Sequence, residues 1–396
     1  MSARAAATWL LPAVTAASLA VAVVGCSGNQ GPPPAPTPRP LAWAPVPLPR
    51  GDEPLTLAAS ADAAVVGATS STGPSLWSVG LDGRTLAAVP LTPRSTYAHS
   101  AHWASLAVDG QHVVGVGRAT GGAHGLPRWT VWDGSASGVH ERPQPFETFG
   151  GPRAGGLAAV ATGAGRDVVV GAWDDGGPGL DGSLWLRASQ GRWDRLPSTG
   201  TSLASSSTDL AQVATVGLTG GPGGPATVVV AGATTDLSGP TPSQRPVAWT
   251  SPDPRGPWER HDLPATTSAA RATGSACDAS GCWLVGTDGD AAALWRLTAP
   301  STRPRDASTS VVARVPLPGT VASSSATGAL PALDGAGLWV LVRGHRGALV
   351  HRDTAGTWSA WAAPPGDVQA LAAWGGHLAV VTSDGRTRRL LVASVS

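Results

Sequence analysis

The sequence predicts an all-β protein, a single seven-bladed β-propeller, and three observations predict it. An apolar run ending in small residues returns seven times, starting at Val65, Val113, Val168, Val228, Trp283, Trp339 and Leu378, at spacings of 39 to 60 residues. Spacings of that size suit one four-stranded blade per unit. Asp-Gly, a pair favoured in tight hairpins, recurs at 82–83, 109–110, 133–134, 175–176, 181–182, 288–289, 334–335 and 384–385. Finally, 52 Gly and 36 Pro leave little room for long helices.

Taken in chain order, residues 1–25 read as a processing segment. Arg4 supplies a positive start, and the apolar stretch from Leu10 to Val24 is short for a membrane span. Val23-Val24-Gly25-Cys26 resembles the bacterial lipobox, in which the cysteine is lipidated and becomes the first mature residue. That resemblance implies a lipid anchor on Cys26 and a place on the extracytoplasmic face of the cell membrane. Residues 26–40 are rich in Pro and Gly and form a tether, reaching on the order of 40 Å at ~3.1 Å per residue. The propeller is expected over 41–396.

Each unit starts with a strand of small residues, as in 55–60 (LTLAAS) and 156–162 (GLAAVAT), suited to a crowded central axis. The Val-rich run follows as a second strand buried on both faces. Third strands carry Trp, as in SLWLRA, VAWTSPD and ALWRLTA, where an indole fills the gap between blades. Outer strands run into proline, from Val89-Pro90-Leu91 to Ala363-Pro364. The seventh unit stops at Ser396 after three strands, while Val46-Pro47-Leu48-Pro49 repeats Val315-Pro316-Leu317-Pro318. Residues 41–49 are therefore expected to add as the outer strand of the last blade and hide its open edge.

Charge narrows the partners. All 27 basic residues are Arg, against 26 acids, and loss of Arg4 with the leader leaves the two signs equal. A balanced chain argues against nucleic acid as the main partner. Besides Cys26, only Cys277 and Cys282 remain, flanking Asp-Ala-Ser-Gly. This reads as a hairpin disulfide in an oxidising compartment, since a metal site needs more ligands than the segment offers.

Three turns between third and fourth strands share Gly-x-Trp: Gly191-Arg192-Trp193, Gly256-Pro257-Trp258 and Gly356-Thr357-Trp358. Two extend back to Asp253 and Asp353, and Ser251 precedes the first of these. The pattern resembles the Asp-box of sialidase-type (BNR-like) propellers, with one extra residue between Asp and Gly. There the box is structural and lies away from the active site. The resemblance also implies a glycosidase built on a Tyr nucleophile, a Glu partner, an Asp acid/base and three Arg. Here Tyr97 is the only Tyr, and the four Glu are Glu53, Glu141, Glu147 and Glu259. No catalytic set is assigned, and neither a cofactor nor a metal site.

Candidate ligand-binding residues fall on the face that carries the blade-to-blade connections and the second-to-third strand loops, around the central channel. Tyr97, His99, His102 and Trp103 precede or open the first strand of blade two; they could bind a metal or stack on a sugar, or form a polar loop with Trp103 packed between blades. Asp174, Asp175 and Asp181 sit among glycines in blade three, a composition open to Ca²⁺ or to a solvated turn. Arg118, His124 and Arg128 in blade two, with Arg343, His345 and Arg346 in blade six, could make a polar rim for an anionic partner or simply keep the loops soluble. The expected function is non-catalytic binding or scaffolding in the bacterial envelope, with an envelope protein or a cell-surface glycan as partner. Two alternatives stand beside it: a carbohydrate-binding or sialidase-like glycoside hydrolase, and a metal-binding sensor or enzyme.

Overall fold

The protein is described here by a computed structural model, covering residues 37–121, 127–220, 226–298, 312–318, 326–344 and 347–395. Cys26, His124, His345 and Arg346 lie outside the described residues. Seven antiparallel sheets follow one another in sequence order, and within each the strands run first, second, third, outer. The first strands are Glu53–Ala59, His102–Asp109, Ala154–Gly163, Asp209–Thr219, Ala270–Asp278, Ala326–Asp334 and Asp367–Trp374. Each touches the first strands of both neighbouring blades, and blade seven touches blade one. The ring is closed, and the seven-bladed propeller expected from the repeats is the fold.

Every first strand carries a register shift against its second strand that leaves a residue unpaired, and blade three carries two. Those residues include Leu55 in blade one, Ala104 in blade two, Ala214 in blade four, Thr273 in blade five and Gln369 in blade seven. A bulge sharpens the local twist and bends the strand, as a sheet must where it meets six others on an axis. In blades three, four and five the bulge explains the glycine near the end of the Val-rich run: Gly171, Gly232 and Gly286. Gly232 pairs with Val213 and Gly286 with Ala272, each just ahead of the unpaired residue. A Cβ on Gly232 would overlap the carbonyl oxygen of Gln212, and one on Gly286 that of Arg271.

Third-strand tryptophans do the inter-blade packing. Trp77, Trp132, Trp185, Trp249 and Trp295 are buried at matching positions in blades one to five. Four of them also satisfy the indole N–H on the segment that leads into their own blade: Trp77 on Asp52, Trp185 on the Thr148 carbonyl, Trp249 on Ser202 and Trp295 on Pro264. One side chain thus fills the gap and fixes the crossover. Blades six and seven place Val350 and Leu391 in the third strand, and fill their cores with Trp339 and Trp374 from other strands.

The amino-terminal segment closes the ring. Ala44–Pro45 pairs antiparallel with the last strand, Arg388–Ser394, and the Val46 N–H donates to the Leu390 carbonyl at 2.9 Å. Leu48 is buried among Leu57, Val66 and Trp77 of blade one and Trp374 and Val381 of blade seven. The segment reaches further back than its sequence indicates. Arg39 bonds through its backbone to Ala360 and Ala362 of blade six, and the Trp43 indole donates to the Ala362 carbonyl at 3.1 Å. Ten residues thereby tie three blades.

Other details depart from the sequence reading. The tail after the outer strand of blade one divides: the Val89 N–H still donates to the Leu76 carbonyl of blade one, whereas Leu91–Thr92 crosses to pair in parallel with the outer strand of blade two, Gly138–Glu141, giving that sheet a fifth strand. Asp133-Gly134 and Asp181-Gly182 lie inside third strands rather than in turns. The Cys277–Cys282 disulfide is present, with sulfurs 2.02 Å apart, across the first hairpin of blade five.

Two stability outcomes follow from this packing. Deleting residues 41–48 is expected to lower the thermal midpoint sharply, and an unchanged melting curve would refute the closure. Gly232→Ala is expected to cost about 3 kcal/mol, at the upper end of overpacking penalties. Gly335→Ala, with nothing within 4 Å of its would-be Cβ, should leave the denaturation midpoint in place.

Candidate functional site

Two cavities compete for the role. The central channel, about 850 Å³, is lined by all seven first strands and extends to their turns with the second strands. Its wall is Ala58, Ala59, Ala107, Ala161, Gly217, Ala276, Ala332 and similar residues, because the crowded axis admits little else. Asp109, Asp278 and Asp334 stand at the turns, and among the described residues no Arg, His or aromatic side chain lines the channel. Asp334 is already engaged by the Ala336 and Gly337 N–H groups and the Trp339 indole. The channel offers volume and few groups that grip.

The second cavity, about 160 Å³, sits at the rim between blades two and three. It is lined by Tyr97 from the helical turn before blade two, by Pro127 to Val131 at the start of a third strand, and by Glu141 to Gly150 of the next crossover. Drug-sized ligands take roughly 300 Å³ or more, so this pocket has room for one side chain. Tyr97, Phe146 and Phe149 all line it, and they are the only Tyr and the only two Phe in the chain.

Local sequence builds this rim. A helical turn, α1, Thr96–His99, starts on Ser95, whose hydroxyl accepts from the Ala98 N–H at 3.2 Å. Glu141, 2% exposed, takes the Arg94 and Ser95 N–H groups and the Ser95 hydroxyl at 2.5 to 2.6 Å. The carboxylate thus pins α1 to the outer strand of blade two. A second turn, α2, Phe146–Phe149, follows Pro145. Phe149 is buried against Trp185 and Trp193, with centroids 5.6 and 6.5 Å away. Gln144 holds the crossover by donating to the Arg142 and Gly191 carbonyls and accepting the Trp193 N–H. Phe146 and Tyr97 remain 42% and 38% exposed. Arg128 packs against both rings, 3.9 Å from the Phe146 centroid and 5.5 Å from that of Tyr97.

Beneath the pocket an ionic chain joins the two blades. Arg142 donates to Asp133 at 2.5 Å, Arg187 spans Asp133 and Asp167, and Asp167 accepts from His112 at 3.1 Å and from Thr162 at 2.6 Å. The hydrogen bond to Asp167 raises the His112 pKa against the opposing effect of burial. Burial pushes Asp167 up, and the hydrogen bonds from His112 and Thr162 outweigh it, so its carboxyl lies below the usual value.

The residues singled out in the sequence divide several ways. Tyr97 and Arg128 meet at the rim pocket; none of the candidate ligand-binding residues that are described lines the channel cavity, which Cys277 of the disulfide does reach. Arg118 is exposed one strand over, opposite Trp129. Trp103 is buried against Trp132, centroids 5.5 Å apart, and donates to the Ser75 carbonyl at 2.8 Å. His99 and His102 are exposed beside it. Among the described residues no three His, Cys, Asp or Glu side chains gather as metal ligands.

The blade-three acids hold their own loop. Asp174 accepts from the Gly176 N–H, Asp175 from Ser198 and from Arg195 at 2.8 Å, and Asp181 from Ser205. Burial, reinforced by the charges of Asp175 and Asp174, raises the Asp181 pKa. Arg343 lies in blade six, which does not adjoin blade two, beside a separate cleft shared with Asp367. Tyr97 and Glu141 do line one pocket. Yet both Glu141 oxygens are occupied, and no hydrogen bond joins the two residues. The Asp-box-like turns act structurally: Asp253 accepts from the Arg255 N–H and Asp353 from the Thr357 N–H.

With this geometry in hand, comparison with known proteins adds the fold. The chain is similar to solved β-propellers. The Cps50 (Swd1) propeller of Myceliophteria thermophila gives a TM-score of 0.56 at 11% identity, covering 90% of this chain and 100% of that one. YCF48 from Cyanidioschyzon merolae gives 0.51 at 13% identity, covering 89% and 99%. A structure of YCF48 bound to D1 peptide gives 0.50 at 14% identity, covering 93% and 99%. No family model matches the sequence, and no curated protein does.

Phe146, Phe149, Trp129 and Gln144 were not singled out in the sequence. The signal that could have found them is rarity: two Phe placed three apart, next to Arg142-Pro143-Gln144-Pro145. The His112–Asp167 contact joins residues 55 apart and has no local signature.

The raised His112 pKa makes a pH statement. The protonated pair contributes its full stability below the unfolded value, about 6.5, and loses it as pH rises through the higher folded value. The melting-point deficit of His112→Gln is therefore expected to be larger near pH ~6 than near pH ~9. A deficit independent of pH would show that the pairing does not depend on the imidazolium.

Proposed function

We propose that this chain is a lipid-anchored, extracytoplasmic β-propeller that acts as a non-catalytic binding or scaffold protein of the bacterial envelope, with protein partners. The observation that carries the binding part is the rim pocket: an apolar, side-chain-sized recess with exposed aromatic residues on a rigid ring. Rigid scaffolds that present surface loops are where binding residues concentrate. A propeller described as bound to a peptide, YCF48, supports protein rather than small-molecule partners by analogy of fold. Support for the anchor comes from Val23-Val24-Gly25-Cys26 and the Pro-rich stretch after it. The Cys277–Cys282 disulfide suits an oxidising compartment.

Two experiments test the two parts separately. Cys26→Ala is expected to move the protein from the membrane pellet to the soluble or unprocessed fraction, with loss of acyl label; continued labelling would remove the anchor. Photo-crosslinking residues placed around the rim of the full-length protein in intact cells are expected to capture one envelope protein from adjacent positions. Capture of abundant bystanders alone, from every position alike, would remove the binding reading.

A further inference from the structure

We propose that the rim pocket between blades two and three is a docking site for an extended acidic peptide segment of a partner protein. An apolar side chain of that segment enters between Tyr97, Phe146 and Trp129, and a neighbouring carboxylate pairs with Arg128. This inference rests on the protein-binding reading above and names the partner's chemistry.

The occupant is argued from charge. Arg128 forms no ion pair among the described residues, and its Nε is buried without a hydrogen-bond partner. Residues 122–126, next to it in sequence, contain no acid. Arg118, one strand over, and Arg94, before α1, are exposed and likewise take part in no ion pair. Glu141 is consumed by α1, which leaves Glu147 as the exposed acid of this rim. A buried guanidinium N–H without an acceptor, at the edge of a recess, marks a place where an incoming carboxylate gains most. Contact with the Phe146 and Tyr97 rings restrains the Arg128 side chain, which lowers the entropy lost on pairing with a carboxylate.

The apolar half is argued from shape and composition. A recess of about 160 Å³ takes one side chain and no more. Two exposed aromatics at its mouth are rigid, amphipathic contacts of the kind enriched at binding hot spots. The same rim carries both four-residue α-turns among the described residues, and its sheet alone has a fifth strand. Those additions brace Tyr97 and Phe146 without filling the space between them.

The test uses full-length protein in detergent and fluorescein-labelled nonapeptide pools. The central pair is fixed as Asp-Leu, Asp-Phe, Asp-Ser or Arg-Leu, and a single-stranded nonanucleotide serves as a control. Asp-Leu or Asp-Phe pools are expected to bind at least about tenfold more tightly than the Asp-Ser and Arg-Leu pools, the scale of one hot-spot contact. Arg128→Gln and Phe146→Ala should each remove that preference, with Arg343→Gln as a control that keeps it. Circular dichroism melts of each variant separate lost contact from lost fold, and Tyr97→Phe should retain binding in any case. Equal binding of all pools, preference for the oligonucleotide, or a preference untouched by Arg128→Gln would overturn the site. If the pools fail while a crosslinker elsewhere on the rim still captures an envelope protein, only this docking site falls. If neither gives a signal, the protein-binding reading falls with it.

Discussion

Seven sheets must share one axis, and most of what distinguishes this molecule follows from the crowding there. The first strands answer it with Ala, Gly and Ser and with a bulge that turns each sheet away from its neighbours. The bulge then imposes its own demand outward, where the second strand must offer Gly232 or Gly286 to an approaching carbonyl. Further out, space opens between twisted blades, and tryptophan fills it. The radial order from small to branched to aromatic side chains is thus one geometric constraint expressed at three distances from the axis.

That constraint also bears on function. Side chains able to grip a ligand are excluded from the centre by the packing that makes the ring, so the largest cavity is among the least equipped. Specific chemistry has to sit where the chain is free of the repeat, in the crossovers between blades. The crossover between blades two and three uses that freedom. Its Gln144 and Arg142 serve the scaffold, while Phe146 is left facing solvent with Arg128 packed against its ring. An aromatic ring at 42% exposure gives up the favourable burial available to it, which is unusual for one of only two Phe in the chain.

The sequence made the fold legible because the repeat is written in periodic terms: Val-rich runs, small inner strands, Asp-Gly turns and a divided last blade. Residues 46–49 could be matched to 315–318 for that reason. The pocket was half legible. Tyr97 and Arg128 stood out as an aromatic and a cation in loops, but Phe146 and Phe149 belong to a crossover that departs from the repeat. Their proximity to Tyr97 depends on how blade two's outer strand carries the chain round the rim, a long-range fact. The Leu91–Thr92 strand escaped for the same reason, since a two-residue parallel pairing leaves no pattern. Arg39 on blade six is a similar case: one bridge, set by where the chain enters the ring.

The described chain begins beside blade six and joins blade seven, whereas the rim pocket lies between blades two and three. In a ring of seven these positions are about half a turn apart. The contacts that close the ring therefore share no residue with the crossover that builds the pocket. That crossover departs from the repeat without touching what holds the ring shut, which is why the fold tolerates it there.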